Sequence, residues 1–438
     1  MWQCPPGIHL CCDRAVGARA PSACPRAECG TAAAALGHHR TVHDAPEAGK
    51  STARLKESFS CARQRGGVGK FSQDPCRSRL ARRCPLASYS VDMGTMDLTQ
   101  RPQTDPTALL RYRDGIYAAD FLACGIVHLD LFSWLAEREA SLGEICEHCG
   151  ICERPADVLL TLACVNGLVT RRGDRFSATE LAREHLGEGS PWSLGSYFAS
   201  LVDRPVVKEV LTVLKTGRPA NWESGMADAD WQESMESEDF AEMFTAAMDC
   251  RGVFLGQRLA DELNLDGSER LLDIGGGSGV YACCLVAGNS RLRATVFEKQ
   301  PVDRIARRTI AERALGERVA VVEGDMFKDP YPADHDVHLL SNVLHDWDVP
   351  EVEALLAKSY AALPAGGLLV AHEAFLNAEK TGPRAVAEYS TILVSITKGR
   401  CYGTGEIRDY MGRVGFVDVS HFETGGDRSA IMARKPWS

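Results

Sequence analysis

The sequence predicts an α/β protein: a mainly parallel sheet with helices on both faces, preceded by a mainly helical region. Three observations predict it. Apolar β-type runs recur at 270–274, 294–297, 319–322, 337–340, 368–371, 416–419 and 430–433, most of them separated by helical segments. The first run feeds a glycine-rich turn, Gly275-Gly276-Gly277-Ser278-Gly279, and then a helix. Carboxylates stand at the ends of several runs, the edge at which open α/β sheets bind ligands.

Composition narrows the function classes. Of 438 residues, 45% are hydrophobic and 25% charged, as in ordinary globular proteins. Residues 1–95 carry 14 Lys and Arg against 7 Asp and Glu, whereas the remainder carries 35 against 52. An acidic folded part disfavours nucleic acid, whose phosphates need clustered cations. No apolar run reaches the roughly 18–20 residues of a membrane span, so no membrane partner is expected. Eight of the 17 cysteines lie in residues 1–95 without regular spacing, and Cys283 and Cys284 are neighbours on an apolar helix. This pattern reads as free thiols in a reducing compartment, hence a cytoplasmic protein.

The elements follow in order. Residues 1–100 are expected to be a disordered or non-native extension: Pro, Gly, Ala, Ser, Arg and Cys dominate, and no apolar period persists. A transit peptide is disfavoured by Asp13, Glu28, Asp44 and Glu47. Residues 101–205 form the helical region. Its run from Leu109 to Leu135 carries a broad apolar face (Ile116, Phe121, Leu122, Ile126, Leu131, Phe132), and 155–163 is a second amphipathic helix. Leu168 to Ser177 then reads as a hairpin turning at Gly173-Asp174, which suggests a winged-helix-like unit with a structural role. Cys146, Cys149 and Cys152, with His148 between them, have metal-like spacing, but no fourth ligand follows and no metal is expected. A helical stretch from Glu238 to Leu263 leads into the alternating units of the domain 206–438.

A glycine turn alone is weak evidence, because dinucleotide enzymes use one too. Asp273 at the strand end separates the readings. A carboxylate there accepts hydrogen bonds from a ligand ammonium and repels a pyrophosphate. Twenty-five residues on, Glu298 ends the next run, where a carboxylate accepts ribose hydroxyls. Asp325 is placed to accept an adenine amino group, with Met326 and Phe327 packing on the ring. These residues point to S-adenosylmethionine. The expected cofactor contacts are Asp273, Gly275, Gly277, Glu298, Asp325, Met326, Phe327 and Ser341.

The fourth run ends in Leu344-His345-Asp346-Trp347-Asp348. His345 falls just past a strand end on the ligand side, and a neutral imidazole suits a phenol-like hydroxyl of pKa near 10. Glu373, ending the fifth run, is the candidate to orient the ring and favour the imidazolium. Asp346 is the alternative, unless it caps the next helix. Met248, Trp347, Ile392, Ile396 and Tyr402 are candidates for an apolar acceptor pocket.

Together these motifs make residues 105–438 resemble the plant caffeate-type and animal acetylserotonin-type O-methyltransferases, a class I methyltransferase family. LDIGGGSG, GDMFKDP, LHDWD and the Glu-ended fifth run match its motifs in order. The resemblance implies a Rossmann-like sheet, a homodimer with the helical region as dimerisation domain, and no metal. It implies His345 as general base and Glu373 as its partner, acting on a hydroxylated, aromatic small molecule. Departures are also present. Lys299 and Gln300 follow Glu298 where the family often has Leu-Pro, and Ser341 stands where many members carry Lys. Gly399-Arg400-Cys401-Tyr402-Gly403 replaces a Gly-x-Glu-Arg-Thr pattern, which removes a second Glu beside the His. Ile392 occupies the place of an Asn in the acetylserotonin enzymes. A catalytically weak homologue that binds cofactor or a partner protein is the rival reading, and a nicotinamide reductase is a more distant one.

Overall fold

The structure, a computed structural model, describes residues 96–220 and 234–437. The expectation for residues 1–95 lies outside the described residues. Residues 96–100 depart from it. Leu98 is buried in the main core, and Gln257 donates its side-chain amide to the carbonyls of Leu98 (2.9 Å) and Gln100 (2.6 Å).

The helical region is built from short, well-ended helices. The long apolar run breaks into Thr107–Asp114, Ala118–Val127 and Leu131–Ala136, with Asp130 in the left-handed region before the third. Ile116 is 59% exposed, so the expected broad face does not extend through it. The helix Leu142–Cys149 has a capping box, Ser141 with Glu144, and ends at Gly150 with φ 62°. The helix Glu153–Val165 buries Val158, Leu159, Leu160 and Leu162. Two strands, β2 (Val169–Arg172) and β3 (Arg175–Ala178), form the expected hairpin, and β1 (Ala140–Ser141) adds to it a third strand that was not expected, in the order β1-β3-β2. Arg172 pairs with Arg175 across Gly173-Asp174, and Gly173 takes the positive φ that such a two-residue turn requires.

The expected boundary at 205/206 shifts. The helix Pro205–Thr216 places Val207, Val210 and Leu214 in the helical core, because its apolar stripe is complementary to that core. Val394, almost two hundred residues on in sequence, completes the same core. Full burial of each such side chain contributes about 1.5–3 kcal/mol relative to exposure.

All seven anticipated strands form one sheet: β4 (Arg270–Ile274), β5 (Arg293–Glu298), β6 (Val319–Glu323), β7 (Val337–Ser341), β8 (Leu368–Glu373), β9 (Val417–Gly425) and β10 (Arg428–Arg434). Their order is β6-β5-β4-β7-β8-β10-β9. β4 to β8 are mutually parallel, and β10 runs antiparallel to both β8 and β9. The chain winds outward from β4 to β6 and then returns to place β7 on the other side of β4. This reversal opens a crevice at the carboxyl ends of β4 and β7, the place where ligands bind in such sheets. The strands read as continuous Val, Leu and Ile runs because helices cover both faces.

Candidate active site

The glycine turn leaves β4 with Gly275, Gly277 and Gly279 all at positive φ (66°, 57° and 77°). A Cβ at Gly276 would fall 2.6 Å from the Asp273 carboxyl carbon, so the turn wraps closely around that carboxylate. Ser278 Oγ donates to Asp249 at 2.5 Å and Arg313 donates to the same carboxylate at 2.7 Å, which ties the turn to the long helix Glu238–Glu262. Gly277 has open space where a Cβ would stand.

Asp273 is 1% exposed, and neither of its oxygens has a hydrogen bond of ordinary geometry. Burial pushes its pKa up to about 7, with only a partial offset from the amide of Ala282. A buried carboxylate without a donor is costly unless a ligand donor completes it, and the α-ammonium of S-adenosylmethionine is such a donor. Glu298, 25 residues on, accepts the amides of Gly277 (3.0 Å) and Lys299 (2.9 Å), one on each oxygen. Each oxygen keeps a second acceptor site for a diol, and burial raises this pKa also to about 7. Asp325 caps its own turn by accepting the amides of Phe327 (2.9 Å) and Lys328 (3.3 Å). Burial opposes its ionisation, yet the Phe327 amide and the Lys328 ammonium hold its pKa below the ordinary value. Met326 Sδ faces the glycine turn, 3.4 Å from a Cβ built at Gly275, and Phe327 packs edge-on against Trp347 at 4.5 Å between centroids. The donor set therefore fits S-adenosylmethionine. Ser341 is placed differently from expectation. Its hydroxyl is occupied by His372 Nδ1 (2.9 Å) and Asn342 (3.3 Å), which makes it a link between β7 and β8.

His345 follows β7 on a short turn. Asn342, at φ 54°, bends the chain there, a conformation Asn tolerates better than most residues. Glu373, 2% exposed, receives three donors. Its Oε1 accepts the amides of Val343 and Leu344, each at 2.8 Å, and its Oε2 accepts His345 Nδ1–H. In the neutral ring this contact keeps the proton on Nδ1, so Nε2 carries the lone pair. Burial alone would lower the pKa of His345, but Glu373, then Tyr389 and Asp346, raise it to about 9. The ring is thus a stronger base than the ordinary pKa of 6.5 implied, nearer in strength to a phenol. Asp346 Oδ1 lies 3.6 Å from His345 Nε2, and burial raises its own pKa to about 6. It does not cap the next helix; Asp348 does, accepting the Val349 amide at 2.8 Å.

The altered loop has a different role from the missing Glu. A Cβ at Gly399 would lie 2.1 Å from the His345 carbonyl oxygen, so the loop backbone packs directly on the turn that carries His345. Arg154 reaches across from the helical region and donates to the carbonyls of Gly399 (2.8 Å), Thr397 (3.3 Å) and Gly217 (2.7 Å). Tyr402, fully buried, donates its hydroxyl to the Trp347 carbonyl at 2.6 Å, which makes it a support rather than a pocket wall. Glu406 pairs with Arg400 (2.8 Å) and Lys380 (2.9 Å), and Lys380 also pairs with Asp157 (2.8 Å). Met248 and Ile396 are partly exposed, while Ile392 and Trp347 are buried. Arg154, Arg251 and Tyr389 carry no motif, so sequence reasoning missed them, and it noted Gly399 without assigning it a role. Only Gly399 gave a signal, as a glycine kept in an otherwise altered pattern.

Among the described residues, no group of three or more His, Cys, Asp or Glu is arranged to hold a metal, and no helix is long and apolar enough to cross a membrane. The Cys149 and Cys152 thiols donate to different carbonyls, those of Leu129 and Lys215.

A sheet that reverses beside a glycine turn, with an orphaned acid in its crevice and a His–Glu pair across it, defines a class I methyltransferase. The chain belongs to the S-adenosylmethionine-dependent O-methyltransferase family. Residues 208–417 match the family model described as an O-methyltransferase domain. The chain is 30% identical over 314 residues to the 3-hydroxy-5-methyl-1-naphthoate 3-O-methyltransferase of Streptomyces sahachiroi, covering 72% of this chain and 90% of that one. It is 29% identical over 340 residues to the acetylserotonin O-methyltransferase of Bos taurus, covering 75% and 97%. An O-methyltransferase family 2 protein from Planctomyces limnophilus, solved in complex with apigenin, superposes with a TM-score of 0.70 at 32% identity, covering 78% of this chain and 99% of that one.

Proposed function

We propose that this enzyme methylates a hydroxyl of a small aromatic molecule, with His345 as general base and Glu373 as its orienting partner. The observation that carries this reading is the Glu373 carboxylate, which binds two backbone amides with one oxygen and His345 Nδ1–H with the other. Asp273 and Glu298 would hold the ammonium and ribose of the cofactor, and Asp325, Met326 and Phe327 its adenine. S-adenosylmethionine, when bound, supplies an electrophilic methyl group on a sulfonium. His345 Nε2 takes the acceptor proton as the new C–O bond forms, and Glu373 stabilises the imidazolium. Orienting the acceptor at near-attack distance is the larger contribution of the protein. An aromatic acceptor is supported by the apolar surroundings of the base, where Tyr389 meets His345 edge-on at 5.8 Å. It is also supported by the relatives, whose names specify a naphthoate and whose solved neighbour holds apigenin.

A homodimer is part of the same proposal. Leu109, Tyr112 and Ile116 are 71%, 82% and 59% exposed at helical spacing, and Trp192 and Tyr197 are 64% and 76% exposed. Apolar surface of this kind is suited to a second copy.

The test is a panel of hydroxylated aromatics with radiolabelled cofactor, run on the wild type and on His345→Ala. The variant is expected to bind cofactor normally and to lose turnover by a factor on the order of a hundred to ten thousand. Near-full turnover in that variant would falsify the mechanism.

A further inference from the structure

Asn342 stands where β7 gives way to the turn that carries His345, with its backbone in the left-handed region at φ 54°. Its side-chain amide is fully used. Nδ2 donates to the Tyr281 hydroxyl at 2.9 Å and to the Ser341 hydroxyl at 3.3 Å, and Oδ1 accepts from Arg428 Nε at 3.3 Å. A guanidinium only donates, so the amide oxygen must face Arg428 and the nitrogen the two hydroxyls. The partners come from separate parts of the fold. Tyr281 lies in the first turn of the helix Val280–Gly288, directly after the glycine turn, whereas Ser341 ends β7 and Arg428 begins β10.

The outer partners are themselves held. Tyr281 is buried and meets His372 edge-on at 5.5 Å between centroids. Arg428, also buried, donates to the Asp427 carbonyl (3.2 Å) and to Asp114 (3.4 Å), and its guanidinium lies 4.5 Å from the Tyr389 ring centroid. Tyr389 accepts from Arg251 at 3.1 Å and meets His345 edge-on. The turn after β7 also touches the glycine turn, since a Cβ on Gly275 would lie 3.3 Å from a methyl of Val343.

Glu373 holds the same turn through the amides of Val343 and Leu344, but it does so from β8, on the side of β7 away from β4. That attachment leaves the spacing between the turn and the glycine turn unset. The Tyr281–Asn342 bond comes from the opposite side, from the helix that β4 and the glycine turn lead into. Methyl transfer needs base and methyl donor at a fixed separation, and this bond joins the two turns that would carry them.

We propose that Asn342 is a positioning residue, whose amide ties the turn carrying His345 to the helix after the glycine turn through the Tyr281 hydroxyl. Its effect on turnover rests on the reading of His345 as general base.

The test uses the full chain with Asn342→Gly, Tyr281→Phe and the double variant. Glycine adopts the left-handed bend without strain, so Asn342→Gly removes the amide and keeps the backbone. Its kcat on a methylated aromatic is expected to fall about tenfold or more, with acceptor KM and the calorimetric Kd of S-adenosylhomocysteine within about twofold of wild type. A merely structural loss would instead lower the melting temperature and the number of cofactor sites along with kcat. Tyr281→Phe should lose several-fold in kcat, and adding it to Asn342→Gly should cost little more, as two ends of one bond require. Hydrogen exchange reads the tie without turnover: the Val343 and Leu344 amides should exchange about tenfold faster in Asn342→Gly. Unchanged exchange at those amides overturns the proposal. So does full additivity of the two substitutions, or an unchanged kcat in Asn342→Gly when His345→Ala loses turnover. If His345→Ala keeps its turnover, the base reading falls, while faster exchange in Asn342→Gly still upholds the tie.

Discussion

Gly399 and His345 are in direct backbone contact: a Cβ on the first would lie 2.1 Å from the carbonyl oxygen of the second and 2.5 Å from the Trp347 amide nitrogen. The turn that carries His345 therefore rests on a loop, and Arg154 of the helical region holds that loop by two carbonyls. His345 is positioned by three distant parts of the chain, β7, β8 and the loop after the helix Arg384–Ile396.

Gly399→Ala must push the turn away, since backbone atoms cannot yield as a flexible side chain does. A stability loss of about 1–3 kcal/mol is expected from overpacking. Turnover should fall by roughly ten- to a hundred-fold, because the base moves relative to the acceptor. Cofactor affinity, proposed to rest on Asp273 and Glu298, should change little. Thermal melting, kcat and a cofactor titration on the same preparation separate these effects. A variant that melts normally and turns over normally contradicts the contact.

The raised pKa of His345 makes a pH prediction. Its conjugate acid titrates at about 9, and only the neutral ring accepts a proton. The kcat/KM for the acceptor should rise with pH, close to tenfold per unit, and level off near pH 9. Glu373→Gln should move that rise to lower pH, because burial then acts without the opposing carboxylate. It should also reduce the plateau on the order of a hundred-fold or more, since Gln has one oxygen for three donors. The linkage to stability has the opposite sense. The bound proton stabilises the fold fully below pH 6.5, and that contribution is lost as pH rises through about 9. A flat profile in the wild type would refute the His345–Glu373 coupling.

Glu406 gives the acid counterpart. Burial opposes its ionisation, but Arg400 and then Lys380 hold its pKa down to about 2, against an ordinary 4.5. Its contribution, at most about 3 kcal/mol, is present above pH 4.5 and is lost as pH falls toward 2. Glu406→Gln should lower the melting temperature at neutral pH, because Arg400 and Lys380 then share Asp157 alone. The wild-type and variant melting temperatures should converge as pH falls below 4. A constant gap across that range would show that the acid acts through packing instead of charge.

The proposed cofactor half of the site could be read from sequence because each of its residues is local to a strand end. Asp273 and Glu298 end β4 and β5, and Asp325 follows β6, so strand periodicity alone puts their side chains on one edge. His345 and Glu373 were legible for the same reason, at the ends of β7 and β8. Ser341 was misplaced by that logic. It is also a strand end, but its side chain meets His372 of the neighbouring strand, and strand position does not reveal what a hydroxyl faces. The apolar run from Leu109 carried no signal for its breaks, which depend on tertiary packing and on Asp130 adopting a left-handed conformation.

The sequence by itself determined the sheet, its ligand edge and the cofactor, and it singled out His345 as the proposed base. These follow from short-range patterns: period-2 runs, a glycine turn, and acids at fixed offsets from both. Only the tertiary structure decided the basicity of His345, the support of its turn by Gly399 and Arg154, and the contact of Arg251 with Tyr389. Each of those depends on groups well separated in the chain, from 28 residues for His345 and Glu373 to 245 for Arg154 and Gly399, brought within hydrogen-bonding or packing distance. A single sequence records such pairs in no periodicity, because their spacing is set by how layers stack and not by how the backbone repeats.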